Sequence, residues 1–246
     1  MTEQEWLTCT DPTPMMELLE KKSSDRKFRL FAVACCRTVR HLLPDERCWN
    51  AVLVAERFAD GQATDHDLAV ADGVAVQFQE EAVSWVERLA AQTVGEATKC
   101  NSRFPARRVW ERAALALEGE AVEQMAHREA TGHVDEMMEA WLDAWLGSER
   151  AVGWTDSDPD GHLVSLLRCS FGNPFRSVIA DPKWLTSTVI ALAQGIYDDR
   201  AFHRLPILAD ALQDAGCDNT DVLDHCRSAD PHVRGCWVID LLLGKS

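Results

Sequence analysis

The sequence has little tyrosine and lacks the long alternating runs that form β-strands. Its 246 residues include a single Tyr, and no long stretch alternates Val, Ile or Thr with polar residues, which is the pattern of a half-buried strand. Ala, Leu, Glu and Arg dominate instead, and most of these residues favour helices. The composition therefore predicts an all-α fold, with many helices in a layered or bundle-like arrangement.

Long apolar runs are also missing. No stretch approaches the roughly 20 apolar residues that a membrane-spanning helix requires. The opening residues, MTEQEWLTC, do not combine a charged segment with a following apolar segment, as a secretory leader does. We therefore expect a soluble protein of the cytoplasm.

Several motifs that would fix an activity are absent. Neither GxGxxG nor GxxxxGK(S/T) occurs, which disfavours nucleotide-dependent chemistry. Cys36 and His41 could form a nucleophile and base, but a spacing of five residues on a helix points them in different directions. The net charge of −15 argues against a general nucleic-acid binder, because phosphate contacts need a basic surface. These absences favour a non-enzymatic role.

Positive charge is concentrated near the N-terminus. Between Lys21 and Arg47, eight basic residues stand against three acidic ones, so the molecule is electrically polarised along its sequence. This segment either packs beside acidic helices of the same chain or forms a docking face for an acidic partner, which could be a second copy. The residues predicted for a partner surface are Lys21, Lys22, Arg26, Lys27, Arg37 and Arg40.

The last quarter of the chain carries clear helix boundaries. Pro206 and Gly216 mark the two ends of one helix, and a short helix follows it. A further helix is predicted with Asp230 as its N-cap, Pro231 at its first position and Gly244 as its stop. Helices joined by such short loops must pack against one another, and HEAT-like helical hairpins are one arrangement that would satisfy this.

The cysteines form no CxxC pair. Nine of them are spread without a framework spacing, which is typical of free buried thiols in a chain of this size. The tail nevertheless gathers thiol and imidazole groups, the donors that suit zinc, and His232 and Cys236 are four residues apart on the predicted last helix. The candidate metal ligands are Cys217, His225, Cys226, His232 and Cys236; the alternative is buried thiols with histidines that cap helices or lie at the surface.

An acidic segment offers a weaker metal pattern. Asp156, Asp158 and Asp160 precede Gly161 as in the opening of a calcium-binding EF-hand loop, but Leu167 stands where that loop needs a bidentate Glu. An acidic solvated loop is the favoured interpretation. The same stretch predicts a division of the chain into an N-terminal helical region (1–147), a linker or loop (148–161) and a C-terminal helical unit (162–246).

Four segments carry a family resemblance: FGNPFRSV, IYDDRAFHRLPILADALQDAGC and HVRGCWVIDLLLGK in the tail, and WLTCTDPTPMMELLEKKSSDRKFRLFAVACCRTVRHLL near the start. They resemble an uncharacterised bacterial family of helical proteins. The resemblance covers both ends of the chain and implies one intact unit, without implying an activity. We therefore predict a helical protein-interaction protein, an adaptor or scaffold, with a helical domain carrying a tail zinc site as the alternative.

Overall fold

A computed structural model shows a protein built from α-helices. It describes residues 1–20, 22–99, 103–128 and 159–245, and no strand occurs in these ranges. The predicted all-α fold is confirmed. The α-helices over these residues are α1 (Glu3–Thr8), α2 (Pro12–Leu19), α3 (Asp25–Thr38), α4 (Glu46–Ala59), α5 (Asp65–Glu81), α6 (Trp85–Thr98), α7 (Arg103–Arg128), α8 (Pro159–Phe171), α9 (Ser187–Asp199), α10 (Leu205–Asp214), α11 (Thr220–Arg227) and α12 (Trp237–Leu243).

Local sequence signals set many of the helix ends. The Thr64 side chain accepts a hydrogen bond from the Asp67 backbone N–H, and the Asp67 carboxylate accepts one from the Thr64 backbone, which forms a capping box at the start of α5. Pro206 lies in the first turn of α10, and Gly244 ends α12 in the left-handed conformation, both as predicted. Within the part of the chain that the structure describes, no helix is long and apolar enough to cross a bilayer.

Buried apolar side chains form two clusters. The first extends from α1 to α8 and includes Trp6, Phe31 and Trp110. The second contains side chains of α9 to α12 and receives Cys169 from the end of α8. Helix α8 therefore joins the two clusters, since its Leu167 belongs to the first. The predicted linker lies outside the described residues over 148–158, so the division into two regions stays a prediction.

Buried carboxylates connect α3 and α4 to the C-terminal helices. Asp240 on α12 pairs with Arg26 at 2.8 Å and with Lys27 at 2.6 Å, both on α3. Asp60, at the end of α4, accepts a hydrogen bond from the Tyr197 hydroxyl at 2.6 Å. Further ion pairs of this layer are Arg26–Asp60, Arg37–Glu56, Arg200–Glu56, Arg234–Glu56 and Arg234–Asp60. Because a buried carboxylate is costly without a partner, these pairs fix how the helices meet.

Candidate metal centre

Two cysteines and two histidines come together where α8, α11 and α12 meet. Cys169 lies near the C-terminal end of α8, and His225 lies on α11. His232 lies on the segment between α11 and α12, and Cys236 is the residue directly before α12. One potential ligand atom from each residue lies within 4.8 Å of the ligand atoms of the other three. The four residues form a compact Cys2His2 cluster that could hold a metal ion.

The cluster has a buried side and a more exposed side. Cys169 Sγ lies 3.7 Å from His232 Nδ1, and His225 Nε2 lies 3.2 Å from Cys236 Sγ. Both cysteines are buried, whereas both histidines are half-buried. The histidine side of the cluster is therefore more accessible to solvent than the cysteine side.

The orientation of the histidine rings suits ligand binding. His232 Nε2 lies 3.4 Å from the carbonyl oxygen of Ser228 and can donate its proton there, so that Nδ1 is the ring nitrogen that faces the cluster. The ring of His225 meets the ring of His232 edge-on, with centroids 4.9 Å apart, and lies 5.4 Å from Trp237. A backbone carbonyl that holds the second nitrogen of an imidazole is the usual outer support of a metal-bound histidine.

The two thiols differ in their protonation. Burial alone raises the pKa of Cys236, but hydrogen bonds from Cys169, His225 and His232 outweigh burial and hold this pKa well below its usual range. The hydrogen bond to Cys236, together with burial, raises the pKa of Cys169 well above its usual range. For His232, burial lowers the pKa, yet the hydrogen bond to Cys236 prevails and raises it. Negative charge is thus concentrated on the Cys236 sulfur, where hydrogen bonds from the neighbouring side chains stabilise it.

The prediction that His232 and Cys236 share a helix is wrong, because α12 begins only at Trp237. Gly235 explains the difference. Its φ of +92° is left-handed, and a Cβ at this position would lie 3.0 Å from the side chain of Leu30 on α3. Close contact with α3 therefore replaces the predicted first turn, and it is this bent segment that brings Cys236 to the other ligands.

Lys27 supports the backbone beside both cysteines. Its Nζ donates to the carbonyl oxygens of Ser170, at 2.9 Å, and Gly235, at 2.8 Å. It also pairs with Asp240 at 2.6 Å, and its side chain is only 13% exposed. Since Ser170 follows Cys169 and Gly235 precedes Cys236, one ammonium group on α3 fixes the chain next to two of the four candidate ligands.

The cluster includes three of the five ligands that the sequence predicts, namely both histidines and Cys236. Cys217, which follows α10, and Cys226, on α11, are buried in the second apolar cluster and do not belong to the group. Burial raises the pKa of both thiols. Cys169 is the candidate ligand that sequence reasoning missed, since it lies far from the others along the chain.

Most of the predicted partner surface makes contacts within the chain. The ion pairs are Arg26–Asp240, Lys27–Asp240, Arg37–Glu56 and Arg40–Glu46. Lys22 Nζ lies 3.3 Å from the carbonyl oxygen of Pro174 and 5.0 Å from the centre of the Phe175 ring. Lys21 lies outside the described residues. The intramolecular alternative thus accounts for four of the six residues, and a docking role for this segment stays a prediction.

The other patterns noted in the sequence gain no support. Residues 156–158 of the EF-hand-like segment lie outside the described residues, and from Pro159 the chain is part of α8. Cys36 is fully buried, and burial raises its pKa. His41 lies 2.8 Å from a carboxylate oxygen of Glu120 instead. This environment keeps the Cys36 thiol protonated and unreactive.

Comparisons of the chain with models of protein families, with curated proteins and with solved structures find no match. The resemblance to a bacterial helical family therefore stays a prediction. Function has to be argued from the side chains of the site, because a helical fold alone fixes no activity.

Proposed function

We propose that this chain is a zinc-binding protein in which Cys169, His225, His232 and Cys236 hold one structural Zn²⁺. The observation that carries the proposal is the convergence of four sulfur and nitrogen donors within 4.8 Å of one another. Two thiolates and two imidazoles are a common ligand set of structural zinc sites.

The distances between donor atoms support a tetrahedral ion. Zinc binds sulfur at about 2.3 Å and imidazole nitrogen at about 2.0–2.1 Å, so the donors of a tetrahedral site lie roughly 3.3–3.8 Å apart. The contact between Cys169 and His232 is 3.7 Å, and the one between His225 and Cys236 is 3.2 Å. The remaining separations, which do not exceed 4.8 Å, need only a small contraction around the ion.

A structural role follows from the number of ligands. Four protein donors fill the tetrahedral coordination of zinc, whereas catalytic zinc sites keep a position for water or substrate. The ion would connect the end of α8 to α11 and to the start of α12. Without the ion, these three helices contact one another through the second apolar cluster. Zinc binding would therefore contribute directly to the stability of the C-terminal helices.

The competing interpretation is a set of buried thiols with no metal. The low pKa of Cys236 distinguishes the cluster from the other buried cysteines, for example Cys35, Cys36 and Cys226, whose pKa values burial raises. A thiolate surrounded by imidazoles is a site prepared for a cation, because zinc binds the deprotonated thiol.

The proposal is tested by the zinc content and melting temperature of the purified protein. We expect about one zinc per chain by elemental analysis. Free zinc at a hundredfold excess over its Kd stabilises the folded state by about 2.7 kcal/mol. For a chain of this size, a chelator should then lower the melting temperature by about 5–10 °C.

Cys169→Ser and Cys226→Ser form a matched pair for this test, since both remove a buried thiol from a helix that meets the second cluster. Cys169→Ser should lose stoichiometric zinc and its response to chelator, whereas Cys226→Ser should keep both. Wild-type protein that is folded, free of zinc and indifferent to added zinc would refute the proposal. So would full zinc content in the Cys169→Ser variant.

A further inference from the structure

A cavity of about 450 Å³ lies beside the candidate metal centre. Its walls come from residues 22–24 and the first turn of α3, the segment after α8, the start of α11, and α12 with the residue Lys245 that follows it. Apolar side chains form part of the lining: Phe171, Val178, Trp237 and Leu241. Small-molecule sites usually measure roughly 300–1,000 Å³ and combine apolar or aromatic walls with a few polar groups. Both the size and the composition of the cavity therefore suit a small organic ligand.

Positive charge predominates around this cavity. Four cationic side chains line it against two carboxylates; they are Lys22, Lys27, Arg176 and Lys245, with Asp221 and Asp240. The chain as a whole carries a net charge of −15, so the cavity opposes the charge of the molecule. A cleft with an excess of one sign of charge attracts ligands of the other sign, because its walls of low dielectric constant focus the field.

Both carboxylates of the lining are already neutralised. Asp240 pairs with Lys27 at 2.6 Å, and Asp221 pairs with Arg176 at 3.0 Å. Arg176 also pairs with Glu3. These ion pairs neutralise Lys27 and Arg176, so neither residue supplies the excess positive charge.

The excess charge resides on Lys22 and Lys245. Over the described ranges, neither ammonium group makes an ion pair with a carboxylate. Lys22 Nζ contacts the carbonyl oxygen of Pro174 at 3.3 Å and lies over the Phe175 ring. Lys245 Nζ lies 4.6 Å from the centre of the Tyr197 ring. Contacts of this kind hold an ammonium group in place without cancelling its charge.

We propose that the cavity binds a small anionic molecule with an aromatic or otherwise apolar body. Lys22 and Lys245 attract its anionic group, and Trp237 and Phe171 offer the apolar surface. Phosphate monoesters and carboxylates share this chemistry. The site is separate from the proposed zinc ligands, since none of the four ligands lines the cavity.

Calorimetric titration of the full chain at low salt tests the proposal with three small probes. Phenyl phosphate and phenylacetate carry an aromatic ring and an anionic group, and benzyl alcohol carries the ring alone. We expect saturable binding of at least one anion to one site per chain, with benzyl alcohol at least about tenfold weaker. The tighter of the two anions identifies the class of acid. Absence of binding by both anions at millimolar concentration would overturn the proposal, and so would equal binding of benzyl alcohol.

Three variants that each remove one positive charge locate the site. Lys22→Gln and Lys245→Gln should each weaken anion binding by about fivefold. Lys183→Gln, at an exposed position that does not line the cavity, should leave it unchanged. Equal weakening in all three variants would show a general charge effect and refute the assignment. Zinc content and melting temperature should stay at the wild-type values in each variant, so that failure to bind anions is distinguishable from failure of the zinc proposal.

Discussion

Replacement of Lys27 by Met tests how the candidate metal centre is supported by a residue that is not one of its ligands. The Lys27 ammonium group is 13% exposed and contacts the carbonyl oxygens of Ser170 and Gly235 and the carboxylate of Asp240. Met keeps most of the length and apolar character of the side chain but removes the charge and all three donors. The substitution therefore isolates the contribution of the ammonium group.

The expected loss of stability is large for a single charge. Removal of one partner of a buried ion pair costs about 3–5 kcal/mol, because the other charge remains buried. Asp240 keeps Arg26 at 2.8 Å, which places the cost near the lower end, at about 3 kcal/mol. Loss of the hydrogen bonds beside both cysteines should also weaken zinc binding by about 10- to 100-fold, the usual effect of removing an outer support.

Two measurements separate these effects. Urea denaturation of the metal-free protein reports the loss of the ion pair, and competition with a chelator reports the zinc affinity of the folded protein. Lys183→Met, at an exposed position, serves as the control and should stay within about 0.5 kcal/mol of wild type. A Lys27→Met variant with unchanged zinc affinity would refute the supporting role of Lys27, and unchanged stability would refute the ion-pair argument.

Two more predictions concern the bent segment and the protons of the cluster. Gly235→Ala places a side chain at a φ of +92° and 3.0 Å from Leu30, so it should lower the free energy of unfolding by about 1–3 kcal/mol. Gly73→Ala, in open space within α5, should raise the free energy of unfolding by about 0.5–1 kcal/mol. Changes of the same sign for both variants in urea denaturation would contradict this prediction. The raised pKa values of Cys169 and His232 mean that zinc must displace protons, so chelator competition should show affinity that falls as the pH is lowered from about 8 to about 6. Affinity that is independent of pH would count against these two ligands.

The helices with local end signals could be predicted from the sequence. Pro206 and Gly244 act through their own backbone conformations, which do not depend on distant contacts, and both mark helix ends as expected. The all-α class follows for a similar reason, because composition over many residues averages out local errors. Signals of this kind act within one turn of the chain and carry no information about which helices meet.

The missed features depend on contacts between distant parts of the chain. Asp230 and Pro231 favour a helix start, but the contacts of Gly235 with Leu30 and Lys27 on α3 outweigh that preference. A Gly five residues after the expected N-cap was the one local sign against a continuous helix. The sequence around Cys169 contains no local pattern that marks it as a metal ligand, since its position in the cluster depends on how α8 meets α11 and α12. The tail already offers five candidate ligands, more than the four that zinc needs, so the sequence gives no reason to seek a ligand elsewhere in the chain.

The position of the cluster also explains why its ligands come from such distant segments. Helix α8 contributes Leu167 to the first apolar cluster and Cys169 to the second, so an ion bound at Cys169 connects α11 and α12 to a helix that the larger cluster already holds in place. Closing a long segment of chain through one ion removes more conformational freedom from the unfolded state than closing a short one does. The gain is therefore greater than that from a site confined to the tail, such as the one the sequence predicts. Because the histidines are half-buried and both cysteines are buried, we expect the ion to enter and leave on the histidine side, without unfolding of the larger cluster.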